Sequence, residues 1–96
     1  MKIAIIGAGA SGLFLANLLE RNKIKYTIFD SGRIGRKILA SGNGKCNISN
    51  INLDKKYYHN NKIASYLINK HKDELFNVFK ELNIYTKIDN EGRMYP

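Results

Sequence analysis

Short apolar runs and helix-spaced apolar stripes alternate along the chain, and glycines mark the first changeover. Lys2 to Ile6 carries three isoleucines and stops at Gly7, the pattern of a buried parallel strand. Gly7-Ala8-Gly9-Ala10-Ser11-Gly12 follows directly. Leu13 to Asn22 then reads as a helix with Leu13, Ala16 and Leu19 on one face. Lys25 to Asp30, holding Tyr26, Ile28 and Phe29, predicts a second strand. A strand, a glycine-rich loop, a helix and a strand in about 30 residues is the size of one βαβ unit, so the fold class is α/β.

The pattern changes after Asp30. Ser31 to Asn52 holds four glycines and four asparagines, interrupted by Ile34, Ile38, Leu39 and Ile48. It predicts a long functional loop with one short helical turn around Gly35 to Leu39. Asn61 to Asn69 predicts a short helix through Ile63, Leu67 and Ile68. Lys72 to Leu82 predicts a better one, with Leu75, Phe76, Phe79 and Leu82 as its core face. Asp73 and Glu74 would sit near its start and Lys80 near its end, as the helix dipole favours. Asn83 suits a left-handed residue closing that helix. Ile84 to Ile88, the turn residues Asp89-Asn90-Glu91-Gly92, and Arg93 to Tyr95 predict a β-hairpin.

Composition narrows the classes. The 96 residues are 44% hydrophobic and 25% charged, which excludes disordered, collagenous and low-complexity chains. No stretch reaches the roughly 18 to 20 apolar residues that cross a bilayer. The opening apolar run is too short for a signal-peptide core, so a cytoplasmic location and no membrane partner are expected. One cysteine, Cys46, excludes an internal disulfide framework. The formal charge is +8, from 16 Lys and Arg against 8 Asp and Glu. Its distribution matters more than its size. Arg33, Arg36, Lys37 and Lys45 lie between Ser31 and Leu53 without an acidic residue, whereas residues 51–96 hold eight basic and six acidic groups.

The motif with the most physical content is Gly7-x-Gly9-x-x-Gly12. It follows a strand, opens a helix and has Asp30 at the end of the next strand, 18 residues after Gly12. That is the context of a dinucleotide fingerprint. Gly7 permits the turn, Gly9 lets a pyrophosphate approach the backbone, and Gly12 lets helix and strand pack closely. The helix N-terminus offers N–H groups to an anion. Asp30 can accept hydrogen bonds from ribose hydroxyls and repels a 2′-phosphate. The bland alternative is a glycine-rich turn without a ligand.

A second glycine-rich segment runs Gly35-Arg36-Lys37-Ile38-Leu39-Ala40-Ser41-Gly42-Asn43-Gly44-Lys45-Cys46-Asn47. It is not a P-loop, because Cys46 stands where Ser or Thr is needed and Leu39 where the first glycine is needed. Read from its residues, it is either a loop presenting N–H groups and positive charge to phosphates or a mobile basic surface loop.

The opening fingerprint, GRKILASGNGKCNISN and GRMYP together closely resemble the YhiN/BaiN-like family of bacterial flavoproteins, NAD(P)/FAD-dependent oxidoreductases also grouped as aminoacetone-oxidase-family FAD-binding enzymes. The resemblance covers all 96 residues. This chain departs at Asn43, where the family pattern has Gly, at Lys45 for Arg, at Ser49 for Thr, and at Met94-Tyr95. The resemblance implies an incomplete Rossmann-like FAD-binding domain, namely β-α-β with its glycine-rich loop, then a long cofactor loop, two helices and a β-hairpin. It implies FAD, with NAD(P)H as a possible electron donor. It places Gly7, Gly9, Ala10, Ser11 and Gly12 on the pyrophosphate and Asp30 on the adenosine ribose. Arg36, Lys37, Ser41, Gly42, Asn43 and Asn47 would lie along the diphosphate, ribityl chain or flavin edge. Family members are several times longer, so the chain is expected to be an N-terminal part, inactive alone, with the C-terminal part of the same protein as a partner.

No acid, base or nucleophile stands out, and no catalytic residue is assigned. A dithiol mechanism needs two cysteines and finds only Cys46, which is expected to be a loop residue. His59 and His71 lack metal-ligand spacing, so no metal is expected. Tyr57 and Tyr58 beside Lys55 and Lys56 could stack on bases. Without an RNA or DNA motif, a solvated face is expected there and no nucleic-acid partner. Two rivals stay open beside the FAD reading: an NAD-dependent Rossmann enzyme, and a non-catalytic remnant or small basic binding protein.

Overall fold

The computed structural model describes residues 1–96, which form two compact units, Met1–Cys46 and Asn47–Pro96. In the first unit, strand β1 (Ala4–Ile6) leads through the glycine loop into helix α1 (Ala10–Arg21) and then strand β2 (Thr27–Phe29). β1 and β2 pair in parallel, Ala4 opposite Thr27, Ile5 opposite Ile28 and Ile6 opposite Phe29. Alternation along the strands sorts their side chains. Ile5 is buried with Ala16 and Leu19 of α1, and Ile3, Tyr26 and Ile28 pack against them. Burying Ile5 and Leu19 contributes about 1.5 to 3 kcal/mol each. α1 ends as its sequence allows: Lys23 is left-handed at φ 55°, and Ile24 N–H reaches back to the Leu19 carbonyl at 2.9 Å.

The opposite sheet face has no cover in this unit. Ala4, Ile6, Thr27 and Phe29 are exposed, Ile6 at 81% and Phe29 at 55%. β1 pairs only with β2, so its other edge is also open. A strand reading Ile-Ala-Ile-Ile with a free edge is a template for pairing with another chain. Expressed alone, the 96-residue chain is therefore expected to elute in size exclusion as oligomers or aggregates. A stable monomer at micromolar concentration would refute this.

The 31–52 segment carries more structure than a loop. Helix α2 (Arg36–Ala40) occupies the turn expected at 35–39, and Gly35 precedes it with φ 69°. A tight turn follows at Ser41–Gly44, and strand β3 (Ser49–Asn50) opens the second unit.

In the second unit the two helices expected over 61–69 and 72–82 are one, α3 (Lys62–Glu81). The polar run Asn69-Lys70-His71-Lys72 interrupts the apolar stripe, but it contains neither Gly nor Pro, and every residue in it tolerates a helix. Asn61 caps α3, its side-chain oxygen accepting from Ile63 and Ala64 N–H at 2.9 and 3.0 Å. Glu74 thus lies mid-helix, where it pairs with His71 Nδ1 at 2.8 Å. The apolar face is also shifted. Val78 is the buried residue of α3, Leu75, Phe76 and Phe79 are half-buried, and Leu82 is 49% exposed. Asn83 closes the helix in the left-handed region at φ 58°, with Ile84 N–H on the Phe79 carbonyl.

The hairpin is present as β4 (Lys87–Ile88) and β5 (Arg93–Tyr95). It gains a strand that its sequence does not announce: β3 pairs antiparallel with β5, so the order is β3-β5-β4. The Gly-Arg-Met-Tyr-Pro segment thus supplies the central strand, with Met94 buried. Asp89 shapes the turn, accepting from Glu91 N–H, Arg93 N–H and Arg93 Nε.

Candidate functional site

The site is built at the carboxyl ends of β1 and β2, where parallel α/β sheets bind ligands. Gly7 turns the chain out of β1 with φ 99°, a region closed to most side chains. Its N–H extends the ladder to the Phe29 carbonyl at 2.7 Å. Gly9 precedes α1 and brings no side chain to cap it, and the first turn carries no acidic residue. The first-turn amides of Ala10, Ser11 and Gly12 therefore meet no side-chain cap, and the helix dipole favours an anion there. A Cβ on Gly9 would have nothing within 4 Å, so this side of the loop is open space. A Cβ on Gly12 would strike the Gly7 carbonyl and lie 3.3 Å from Ile5 Cγ2. The third glycine is thus the packing glycine, and the second faces open space.

Asp30 ties this loop to the end of β2. Its Oδ2 accepts from Ala8 N–H at 2.7 Å and its Oδ1 from Gly32 N–H at 2.7 Å. The hydrogen bond from Ala8, that from Gly32 and the charge of Arg36 hold its carboxyl below the ordinary 3.8. Each carboxylate oxygen keeps a second lone pair for a ligand. A depression lined by Ile6, Gly7, Ile28, Phe29, Asp30 and Ser31 opens beside it. Ile6, Phe29 and Ser31 are not among the residues the motif marks; their signal is their position at the strand ends.

α2 is joined to the same loop, because Gly35 N–H donates to the Ala8 carbonyl at 2.8 Å. This brings the start of α2 and Arg36 to the glycine loop and Asp30, with Lys37 next in sequence. Ser41 lies one turn further on, with its hydroxyl on the Ile38 carbonyl at 2.8 Å. Gly42 and Asn43 follow in left-handed geometry, at φ 59° and 55°. Asn47 begins the second unit. With its amide nitrogen facing the Met94 and Ser49 carbonyls it donates to both, at 3.2 and 2.9 Å. The structure therefore gathers Gly7, Gly9, Ala10, Ser11, Gly12, Asp30 and Arg36, carries Lys37, Ser41, Gly42 and Asn43 onward along and after α2, and engages Asn47 within its own sheet.

Two substitutions test this geometry. Asn43→Gly is expected to be neutral or slightly stabilising, and Asn43→Val to cost about 1 to 2 kcal/mol, because a β-branched residue is poorly tolerated at positive φ. Denaturant unfolding of the full-length protein measures both. Asp30→Asn replaces one acceptor by an N–H₂ that faces a peptide N–H. It is expected to weaken adenine-dinucleotide affinity about tenfold or more, read by titration calorimetry. The sign with pH follows from the depressed carboxyl. The contribution of Asp30 is complete above 3.8 and disappears as pH falls through its lower folded value. The Ala8 amide resonance is expected to titrate with a midpoint below 3.8.

A family model described as the HI0933-like protein Rossmann domain matches residues 1–96. The chain belongs to the HI0933-like Rossmann-domain family. The resemblance carried by its motifs thus holds over its whole length, and the βαβ unit with its glycine loop lies within that family's Rossmann domain. Across 99% of the chain it is 35% identical to a 3-dehydro-bile acid delta(4,6)-reductase of Clostridium scindens, covering 24% of that protein. It is 51% identical to a ribosomal RNA dihydrouridine synthase of Haemophilus influenzae, over 56% of the chain and 14% of the relative. A protein of the same name from Escherichia coli is 46% identical over 49% of the chain and 12% of its own length. The HI0933-like chain spans a quarter or less of these relatives. None of its helices is long and apolar enough to cross a membrane.

Proposed function

We propose that the chain forms the FAD-binding front of a flavin-dependent oxidoreductase, with NAD(P)H as the electron donor of the whole protein. The observation that carries this reading is the glycine loop itself. It joins an α1 N-terminus without a side-chain cap, open space at Gly9, and a carboxylate at the end of β2. These features fit a dinucleotide: Gly7, Gly9, Ala10, Ser11 and Gly12 would hold the pyrophosphate, and Asp30 the adenosine ribose. Arg36 and Lys37 would offset phosphate charge. Ser41, Gly42 and Asn43 would serve the ribityl and flavin side. When bound, the flavin supplies two-electron redox chemistry, and the protein supplies its position and electrostatics.

The relative named as a bile-acid reductase supports a reducing enzyme. The two relatives named as ribosomal RNA dihydrouridine synthases support a second reading of the substrate, uridine in RNA. The test of the cofactor is direct. The full-length protein is purified, its absorbance is scanned for the flavin bands, and the released cofactor is identified by mass. FAD near one equivalent is expected. A colourless protein that binds NAD but not FAD would replace this reading with that of a nicotinamide-dependent enzyme.

A further inference from the structure

We infer that the second unit carries a docking surface for single-stranded RNA. It is formed by the turn Lys55–Tyr58 and the first half of α3. This rests on the reading of RNA as the substrate, and it adds the place where RNA is held. Residues 55–72 contain five lysines (Lys55, Lys56, Lys62, Lys70 and Lys72) and no acidic residue. All five lysines are exposed. Tyr57, Tyr58 and Tyr66 lie among them at 57%, 43% and 56% exposure.

The spacing and the local contacts organise these groups. Lys62, Tyr66 and Lys70 stand at i, i+4 and i+8, one stripe of the helix. Lys70 Nζ donates to Tyr66 Oη at 2.9 Å and lies 5.3 Å from the centre of that ring. Lys56 Nζ lies 5.1 Å from the centre of the Tyr57 ring. Each pair sets an ammonium beside an aromatic ring, the combination that binds a phosphate next to a stacked base. The turn runs straight into the helix, Asn61 N–H donating to the Tyr58 carbonyl at 3.0 Å. The acidic groups mark its ends. Asp54 accepts from Lys56 N–H at 2.9 Å, and Asp73 and Glu74 begin the second half of α3, where Glu74 is paired with His71. Stacking on tyrosine tolerates any base, so this surface would hold a strand while sequence is read elsewhere.

The experiment uses the full-length protein and a fluorescein-labelled oligouridylate of about 12 nucleotides, a length suited to one such surface. Binding is read by anisotropy over a salt series, with phosphatidylglycerol vesicles as a parallel probe. Tyr57→Ala with Tyr66→Ala is expected to weaken RNA binding at least about tenfold. Lys62→Gln with Lys70→Gln is expected to weaken it and to lower the salt slope by about 1.4, two phosphate contacts on a single strand. Circular dichroism and flavin content of the same variants should be unchanged, since none of these side chains is placed in the cofactor site. If RNA is bound with unchanged affinity and slope in both variants, the surface is wrong while the RNA reading stands. Should neither wild type nor variants bind RNA, both fall. Vesicle binding that depends on the lysines but not the tyrosines, without RNA binding, assigns the face to a membrane and overturns the proposal.

Discussion

Gly9→Val is expected to leave the first unit folded and to abolish dinucleotide binding by the full-length protein. The two halves of that expectation have separate causes. A Cβ at Gly9 meets no atom within 4 Å, so valine has room in the absence of ligand. The same space is where a pyrophosphate would approach the open first turn of α1, and a branched side chain would fill it. Circular dichroism should match wild type, and flavin content should fall from near one equivalent to background. A folded Gly9→Val protein with full cofactor would remove this loop from the site.

Three residues later the same substitution is expected to have the opposite character. Gly12→Val places a side chain against the Gly7 carbonyl and Ile5 Cγ2, at the point where α1 rests on β1. Neither neighbour can move cheaply: one is backbone in a left-handed turn, and the other is the buried centre of the unit. The expected cost is about 4 kcal/mol or more, in the range where a small domain no longer folds. Loss of cooperative denaturant unfolding would report it. Comparable stability of Gly9→Val and Gly12→Val would contradict the distinction between an open-space glycine and a packing glycine.

The first unit was largely legible because each of its signals is local. Ile3 to Ile6, the glycine spacing and the position of Asp30 are read from adjacent residues, and the parallel pairing of Ala4–Ile6 with Thr27–Phe29 follows from them. The sequence was less informative where structure depends on distant partners. Ser49 and Asn50 are polar and only two residues long, and they become a strand because β5 is there to pair with them. The continuity of α3 through Lys70 to Lys72 was hidden because polar residues there interrupt the apolar stripe without breaking the helix. Buried Val78 was missed for a related reason, since the aromatic pair Phe76 and Phe79 dominates the pattern while lying half exposed. At the candidate site, the glycines and Asp30 were visible in the motif. The tether from Asp30 to Ala8, and that from Gly35 to Ala8, join residues 22 and 27 positions apart and needed the folded chain.

Those two tethers meet on one peptide unit pair around Ala8: its N–H is held by Asp30 and its carbonyl by Gly35 N–H. The glycine loop, the end of β2 and the start of α2 are therefore fastened at a single node. A ligand group that draws on the Asp30 carboxylate would change the grip on Ala8, and through Ala8 an anion settled against α1 would change the freedom of Asp30. Such coupling is reciprocal, so the factor by which one half of a dinucleotide improves the fit of the other must be the same in either direction. A site fastened in this way would read the two halves of its ligand as one object, each half altering the fit of the other by that one factor.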